Sequence, residues 1–295
     1  MKTNLLNPEI ISNLDNLMLK ARVIVEGFMV GIHRSPFHGF SVEFSEHKGY
    51  AIGDDIKHLD WKLWAKTDKY YIKQFEEETN LQCHIFLDMS KSMSYNSHDI
   101  SKIQYAQMLT AALGYLIINQ QDSLGLTLFD KKVRTVIPPK SSKSHLKTIM
   151  SVLNNIVCGP ETKISRVLHQ GAEMIHKKGL IVLISDLFDN PKNVIESLKH
   201  FRYKKNEVIV FHLLDPQEIE LKYNEQIMFE DLETREKILT EPWHIQKIYK
   251  KEIGNFLDYY QNECRKNKIS YNLLPTNIPL DYALSEFLNK RKKSF

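Results

Sequence analysis

From residue 81 onward, short aliphatic runs alternate with amphipathic segments of ten or more residues. The run at Leu180–Ser185 is almost continuously aliphatic, and Asp186 follows it directly. Such strands are expected where helices cover both faces of a parallel sheet. Strands separated by helices predict an α/β fold with a doubly wound, mostly parallel sheet.

The periodicity places each element of this sheet approximately. We expect strands at 82–87, 123–129, 133–137, 180–185, 207–213 and 269–274. We expect helices near 103–117, 146–156, 164–175, 194–201, 248–260 and 279–290. The turn at Asp130 makes 133–137 an antiparallel edge strand, and residues 225–240 predict a small hairpin insertion.

The first 79 residues have a different character. Asn7 and Pro8 predict the start of a helix, and Gly27 is expected to end it. Residues 28–69 keep no period and are read as irregular with short strands, and 70–75 as a strand. We therefore expect an N-terminal helical and irregular region at 1–79 and an α/β domain at 80–295.

Composition narrows the class of protein. A formal net charge of +4 over 295 residues is weak support for a nucleic-acid partner, and the basic cluster at 290–293 resembles a solvated helix end. Three well-separated cysteines argue against a disulfide framework. No apolar run approaches the roughly eighteen residues of a membrane span. We expect a cytoplasmic protein without membrane insertion.

Hard oxygen side chains follow two of the predicted strands. Asp88, Ser90 and Ser92 end one strand, and Asp186 ends another. Thr162 lies in a loop just before a predicted helix and can point into the same crevice. Parallel strands bring their carboxyl ends to one edge, where α/β folds bind ligands. Carboxylate and hydroxyl oxygens suit Mg²⁺, with Mn²⁺ as a possible alternative ion.

Other sites have weaker support. Four upstream histidines with neighbouring acids allow a zinc centre, although Pro36 interrupts any helix joining the first two; these are His33, His38, His47 and His58. A serine nucleophile at residue 90 or 92 would need a base, for which His84 is the nearest candidate. The sequence contains no nucleophile elbow, Walker loop or dinucleotide fingerprint.

The five oxygen-bearing residues resemble the metal-ion-dependent adhesion site of von Willebrand factor A domains. In that family, Ser and Thr hydroxyls coordinate Mg²⁺, Asp residues act directly or through water, and an open position accepts a carboxylate from a partner protein. The resemblance assigns these roles to Asp88, Ser90, Ser92, Thr162 and Asp186. Pro160 and Glu161 replace a loop that is often glycine-rich, which makes Thr162 the least secure ligand.

Four upstream stretches, 34–40, 43–47, 53–62 and 73–78, together resemble the prokaryotic von Willebrand A-like family called domain of unknown function 58. Its members are typically encoded beside MoxR-type AAA+ ATPases. The resemblance implies a non-enzymatic, Mg²⁺-dependent protein-interaction module that works with such an ATPase in assembly, folding or metallocofactor insertion. A metal-dependent phosphohydrolase or nuclease using the same crevice is the alternative function.

Overall fold

A computed structural model of the protein describes residues 7–33, 48–49, 71–72, 81–159, 163–223, 225–230 and 237–292. The N-terminal part contains helices α1 (Pro8–Ser12) and α2 (Leu17–His33). Two short strands, β1 (Lys48–Gly49) and β2 (Tyr71–Ile72), pair antiparallel. The remaining upstream residues, including most of the expected strand at 70–75, lie outside the described part of the chain.

The central sheet of the described residues has six strands. They are β3 (Gln82–Asp88), β4 (Ser123–Phe129), β5 (Val133–Lys140), β6 (Leu180–Ser185), β7 (Glu207–Leu214) and, at one edge, a last strand, Ser270–Pro275. The last strand is β10, because a hairpin of β8 (Ile227–Glu230) and β9 (Lys237–Thr240) precedes it. The strand order is β10-β7-β6-β3-β4-β5, and only β5 runs antiparallel to its neighbour.

Helices join these strands. They are α3 (Lys102–Asn119), α4 (Lys143–Asn154), α5 (Ile164–Met174), α6 (Pro191–Tyr203), α7 (Pro216–Glu220), α8 (Pro242–Lys266) and α9 (Leu280–Lys292). Along β3, β6 and β7, alternate residues belong to two buried clusters. The cluster that contains Ile85 includes residues of α2, α3, α4 and α9, and the cluster that contains Phe86 includes residues of α5, α6 and α8. The predicted α/β fold, a doubly wound and mostly parallel sheet, is confirmed.

The expectation that a helix starts at Pro8 and ends at Gly27 is wrong in two respects. The helix breaks after Ser12, and Asn16 begins a second one by accepting a hydrogen bond from the backbone N of Met18 (2.8 Å). This second helix continues through Gly27 to His33. Buried neighbours such as Phe28 pack against the sheet domain, and this packing outweighs the roughly 1 kcal/mol cost of a helical glycine.

Helix α2 shares its buried layer with the sheet strands, so the N-terminal helix packs directly on the α/β domain. The division of the chain at residue 79 stays a prediction, since most of residues 34–80 lie outside the described part. The expected hairpin near 225–240 is present as β8 and β9. Helix α7, which sequence periodicity missed, is only five residues long and begins at an Asp215 capping box.

Candidate functional site

Asp88 is the last residue of β3, and Asp186 directly follows β6; these two strands are neighbours at the centre of the sheet. From this pair the chain winds outward in both directions, through β4 and β5 on one side and β7 and β10 on the other. Such a reversal of strand order opens a crevice at the carboxyl ends of the strands, where open α/β sheets bind their ligands. Asp88 and Asp186 therefore stand at the position that the topology favours for a site.

Asp88 is fully buried and engages both of its carboxylate oxygens. Ser185, the last residue of β6, donates its hydroxyl to Asp88 Oδ2 (2.7 Å), and the backbone N of Ser90 donates to Oδ1 (2.9 Å). The hydroxyl oxygens of Ser90 and Ser92 lie 2.9 Å apart. The chain turns back on itself here, and a short 3-10 turn begins at Ser92. Three of the five expected ligands thus lie in one small cluster.

The loop leading to Thr162 is fixed against this cluster. Ser90 forms a parallel bridge with Gly159, whose backbone N donates to the Met89 carbonyl (2.8 Å). A side chain at Gly159 would place its Cβ 2.1 Å from Asp130 Oδ2, so only glycine allows this close approach. Thr162 itself, with Pro160 and Glu161, lies outside the described residues.

The electrostatics of Asp88 are unfavourable for a bare carboxylate. Burial, followed by the negative charge of Asp186, raises the pKa of Asp88 to about 7, although the hydrogen bonds from Ser185 and Ser90 oppose this rise. Among the residues that the structure describes, no Lys, Arg or His forms an ion pair with Asp88. Burial and the same carboxylate also raise the pKa of the nearby Cys158 thiol to about 11. Added positive charge would stabilise ionised Asp88.

Asp186 has a buried counter-ion that the sequence analysis missed. Lys102, at the first position of α3, is fully buried; its Nζ lies 2.9 Å from Asp186 Oδ2 and 2.6 Å from Glu218 Oε1. Burial lowers the pKa of Lys102, but the two carboxylates together outweigh burial and raise it. A cation in the first turn of a helix is disfavoured by the helix dipole, which is the one sequence signal that could have marked Lys102.

His212 on β7 holds the backbone of Asp186. One ring nitrogen, Nε2, lies 2.7 Å from the Asp186 carbonyl oxygen, and the other, Nδ1, lies 2.7 Å from the Tyr271 hydroxyl. Because a carbonyl only accepts, Nε2 carries the proton and Tyr271 donates to Nδ1. Burial lowers the pKa of His212 to about 4, so the ring is neutral at physiological pH.

The donor set of the crevice fits a hard divalent cation. Two buried carboxylates and two hydroxyls provide oxygen ligands, the kind that Mg²⁺ and Mn²⁺ prefer. Within the described stretches there is no cluster of three or more His, Cys, Asp or Glu side chains that could hold a metal. The alternative zinc centre draws on upstream histidines whose side chains lie outside that description.

Comparison with known proteins identifies the family. The model of "Protein of unknown function DUF58" matches residues 46–252, well over half of the chain, and the protein belongs to this family. An uncharacterized Mycobacterium tuberculosis protein, Rv1480, is 23% identical over 231 residues, which cover 77% of this chain and 72% of the relative. An uncharacterized Mycobacterium bovis protein, Mb1516, matches equally well.

Solved structures with the same architecture support the fold. BatB from Bacteroides thetaiotaomicron has a TM-score of 0.51 at 17% identity, covering 72% of this chain and 99% of BatB. An aerotolerance-related membrane protein from Bacteroides fragilis has a TM-score of 0.52 at 18% identity, covering 71% and 99%. Both likenesses support the doubly wound α/β fold that the sequence predicts. Within the described residues, no helix combines the length and apolarity needed to cross a bilayer.

Proposed function

We propose that the protein is a Mg²⁺-dependent protein-interaction module. The observation that carries this proposal is the buried pair Asp88 and Asp186, which stands beside hydroxyl ligands at the switch point of the sheet. Only one of the two carboxylates has a cationic partner among the described residues. A divalent cation would compensate the other, so its binding is expected to be coupled to the charge state of Asp88.

The proposed ligands of the cation are of two kinds, hydroxyl groups and carboxylates. Ser90 and Ser92 offer hydroxyls on the turn after β3, and Asp88 stands behind them with its oxygens held by hydrogen bonds. Asp186 shares one oxygen with Lys102, which favours a contact through water at the other. Thr162 is the fifth proposed ligand. When bound, the cation would supply an open coordination position for an acidic side chain of a partner.

A MoxR-type AAA+ ATPase, or a client protein presented by one, is the partner that we propose. The support is membership of the DUF58 family, together with the gene neighbourhood that is typical of it. The three cysteines, at 83, 158 and 264, lie far apart in the sequence, which is compatible with our expectation that the two proteins meet in the cytoplasm. Assembly, folding or metallocofactor insertion would be the process that this pair serves.

A phosphohydrolase or nuclease in the same crevice is the competing function. That chemistry generally requires a general base or a second metal near the first. His212, the imidazole that contacts Asp186 in the described structure, is buried, neutral and engaged at both nitrogens, so it has no free position to accept a proton from water. These features favour the binding module.

Calorimetric titration with Mg²⁺ and Mn²⁺ tests the cation site. We expect Ser90→Ala and Asp88→Ala to weaken binding at least tenfold. Ser94→Ala is the matched control, because Ser94 is exposed on the same turn and its hydroxyl donates to the Lys91 carbonyl. Unchanged affinity in both site variants would show that the assignment is wrong.

Capture of the purified cognate ATPase with and without EDTA then tests the function. We expect capture in Mg²⁺ and its loss both in EDTA and with the Ser90→Ala variant. Capture that ignores EDTA, combined with metal-dependent turnover of a phosphodiester that Ser90→Ala abolishes, would favour the enzyme instead. The same preparations serve both assays, so the two functions are compared on one protein.

A further inference from the structure

A second cavity lies beside the crevice, on the side of the β8–β9 hairpin. Its volume is about 300 Å³, and its lining includes Tyr95, Leu221, Tyr223, Phe229, Ile245 and Tyr249. This is the lower end of the range for ligand pockets, roughly 300–1,000 Å³, and it suits one large side chain. The cavity is built where the turn after β3, helix α7, strand β8 and helix α8 meet.

Lys102 separates this cavity from the cation crevice. Its Nζ binds Glu218, a residue of the cavity lining, and lies 5.9 Å from the centre of the Tyr95 ring. The same nitrogen lies 2.9 Å from Asp186 Oδ2, so this oxygen is no more than about 9 Å from the Tyr95 ring centre. An extended peptide advances roughly 3.3 Å per residue, so two or three residues span this distance.

Most polar groups of the cavity are already paired, which limits the chemistry of its occupant. The hydroxyls of Tyr95 and Tyr223 bond to each other (3.0 Å), and Tyr249 donates its hydroxyl to the Glu218 carbonyl. The two carboxylate oxygens of Glu218 accept from Lys102 Nζ and from the backbone N of Asp215. Gln217 also lines the cavity, and its Oε1 accepts from the backbone N of Lys222. Rings and methyl groups make up most of what remains to contact a ligand, so the site favours an apolar group.

Apolar surface continues outward from both sites. Phe188 is 42% exposed next to Asp186, and its ring centre lies 5.1 Å from Lys102 Nζ. On the cavity side, Ile238 pairs across the hairpin with the cavity residue Phe229, which places the two side chains on one face, and Ile238 is 65% exposed. A cluster of exposed apolar residues around two adjacent sites is typical of a surface that binds a protein.

We propose that this cavity receives a large apolar side chain, Phe or Leu, from the same partner segment whose carboxylate meets the cation. The inference rests on the proposed function and adds a partner chemistry: an acidic residue followed or preceded, one to three residues away, by a bulky apolar residue. The cation would bind the acidic side chain. The cavity would select, among acidic segments, those that also carry a bulky apolar residue.

Labelled decapeptides with a Gly/Ser background test the proposal on the full chain. Each carries one Asp and one Phe that lie one, two or three positions apart, and fluorescence anisotropy measures affinity in Mg²⁺ and in EDTA. For the best spacing, we expect replacement of Phe by Ala to weaken binding about tenfold or more, the factor that burial of one such side chain supports. Replacement of Asp by Asn and addition of EDTA should each weaken it as well.

Two tryptophan variants of α8 locate the effect. Ile245 lines the cavity and is 41% exposed, so Ile245→Trp can fill the space without disturbing the buried layer. Ile248→Trp is the control, because Ile248 is 66% exposed and does not line the cavity. The preference for Phe over Ala should disappear in the first variant and persist in the second, while both keep the wild-type Mg²⁺ affinity.

The failures of the two proposals are distinguishable. Binding that needs Asp and Mg²⁺ but is equal for Phe and Ala would overturn the cavity inference and leave the interaction module standing. A titration with p-cresol, followed by the methyl resonances of Leu221 and Ile245, probes the cavity without a peptide. If neither p-cresol at millimolar concentration nor any peptide shifts these resonances, the cavity inference is wrong. If p-cresol binds but no peptide shows the preference for Phe, the cavity is a separate small-molecule site. The proposal that one partner segment occupies both the cavity and the cation site is then wrong.

Discussion

Replacing Lys102 by Met tests the charge arrangement at the heart of the crevice. Its ammonium group contacts Asp186, which is 1% exposed, and Glu218, which is 16% exposed, so removing it leaves two largely buried carboxylates without that cation. Removing one member of a buried ion pair lowers the free energy of unfolding by about 3–5 kcal/mol. The alternative response is to protonate one carboxyl at pH 7.5. From the ordinary reference pKa of a carboxyl, about 4, this costs a similar amount at about 1.4 kcal/mol per pH unit.

This reasoning also gives the sign of the pH dependence. In the variant, a carboxyl that loses its cation has a raised pKa in the folded state, so the folded state binds more protons than the unfolded state. The deficit relative to wild type should therefore shrink as pH falls, by up to about 3 kcal/mol between pH 7.5 and 5.5. Lys102→Met should show the full loss of about 3–5 kcal/mol only at the higher pH.

Urea unfolding followed by circular dichroism, in EDTA, measures both effects. Lys147→Met is the matched control, because Lys147 is an exposed residue of α4 and its replacement should change stability by less than about 0.5 kcal/mol. A loss below about 1 kcal/mol at pH 7.5 for Lys102→Met would refute the view that Lys102 forms desolvated ion pairs with Asp186, after β6, and with Glu218 of α7. So would a large loss that does not change with pH.

Two further changes probe the crevice itself. Asp88→Asn removes a buried carboxyl group whose pKa is raised to about 7, so in EDTA at pH 8 the substitution should stabilise the protein by up to about 4 kcal/mol. This gain in stability should fade as pH falls through 7 towards 4. In urea titrations with saturating Mg²⁺, the wild type should instead be the more stable of the two proteins. Equal stabilities at pH 8 in EDTA would contradict the raised pKa. Gly159→Ala forces a Cβ against Asp130, so it should lower the free energy of unfolding by about 1–3 kcal/mol and weaken Mg²⁺ binding. Gly254→Ala is the control: the site is helical and has open space, so the substitution should raise the free energy of unfolding by about 0.5–1 kcal/mol. Similar effects of the two substitutions on urea midpoints would contradict the close approach at Gly159.

The strands of the sheet could be predicted because each is a short aliphatic run that helices cover on both faces. Leu180–Ser185 has the same limits in the structure as in the sequence, and Gln82–Asp88 differs only by including Asp88 as its last residue. Once neighbouring strands are parallel, the meeting of Asp88 and Asp186 follows from topology. Helix ends were less predictable: Gly27 lies inside α2, because tertiary packing overrides a weak local preference.

Sequence reasoning missed Lys102 and Glu218 for a different physical reason. Their partners are 84 and 116 residues away along the chain, and no local pattern reports a contact that exists only after β6 and β7 have brought their ends to one edge. Lys102 looks like an ordinary residue of an amphipathic helix, and Glu218 like the last member of a capping box. Buried counter-ions of this kind are found only when the sheet order is known.

The balance of charges then explains why a divalent ion suits this crevice better than a monovalent one. Among the described residues, this region holds three carboxylates, Asp88, Asp186 and Glu218, and one ammonium group, which pairs with the last two. Full ionisation therefore leaves an excess of two negative charges with little access to water. One divalent cation matches this excess, and a monovalent ion leaves half of it. Without such an ion, Asp88 takes up a proton near neutral pH because its pKa is raised, and this reduces the negative charge. The proton and the cation therefore compete for the same carboxylate. The arrangement that makes Asp88 costly for the fold is therefore the one that would bind the proposed cation most strongly at pH values above 7.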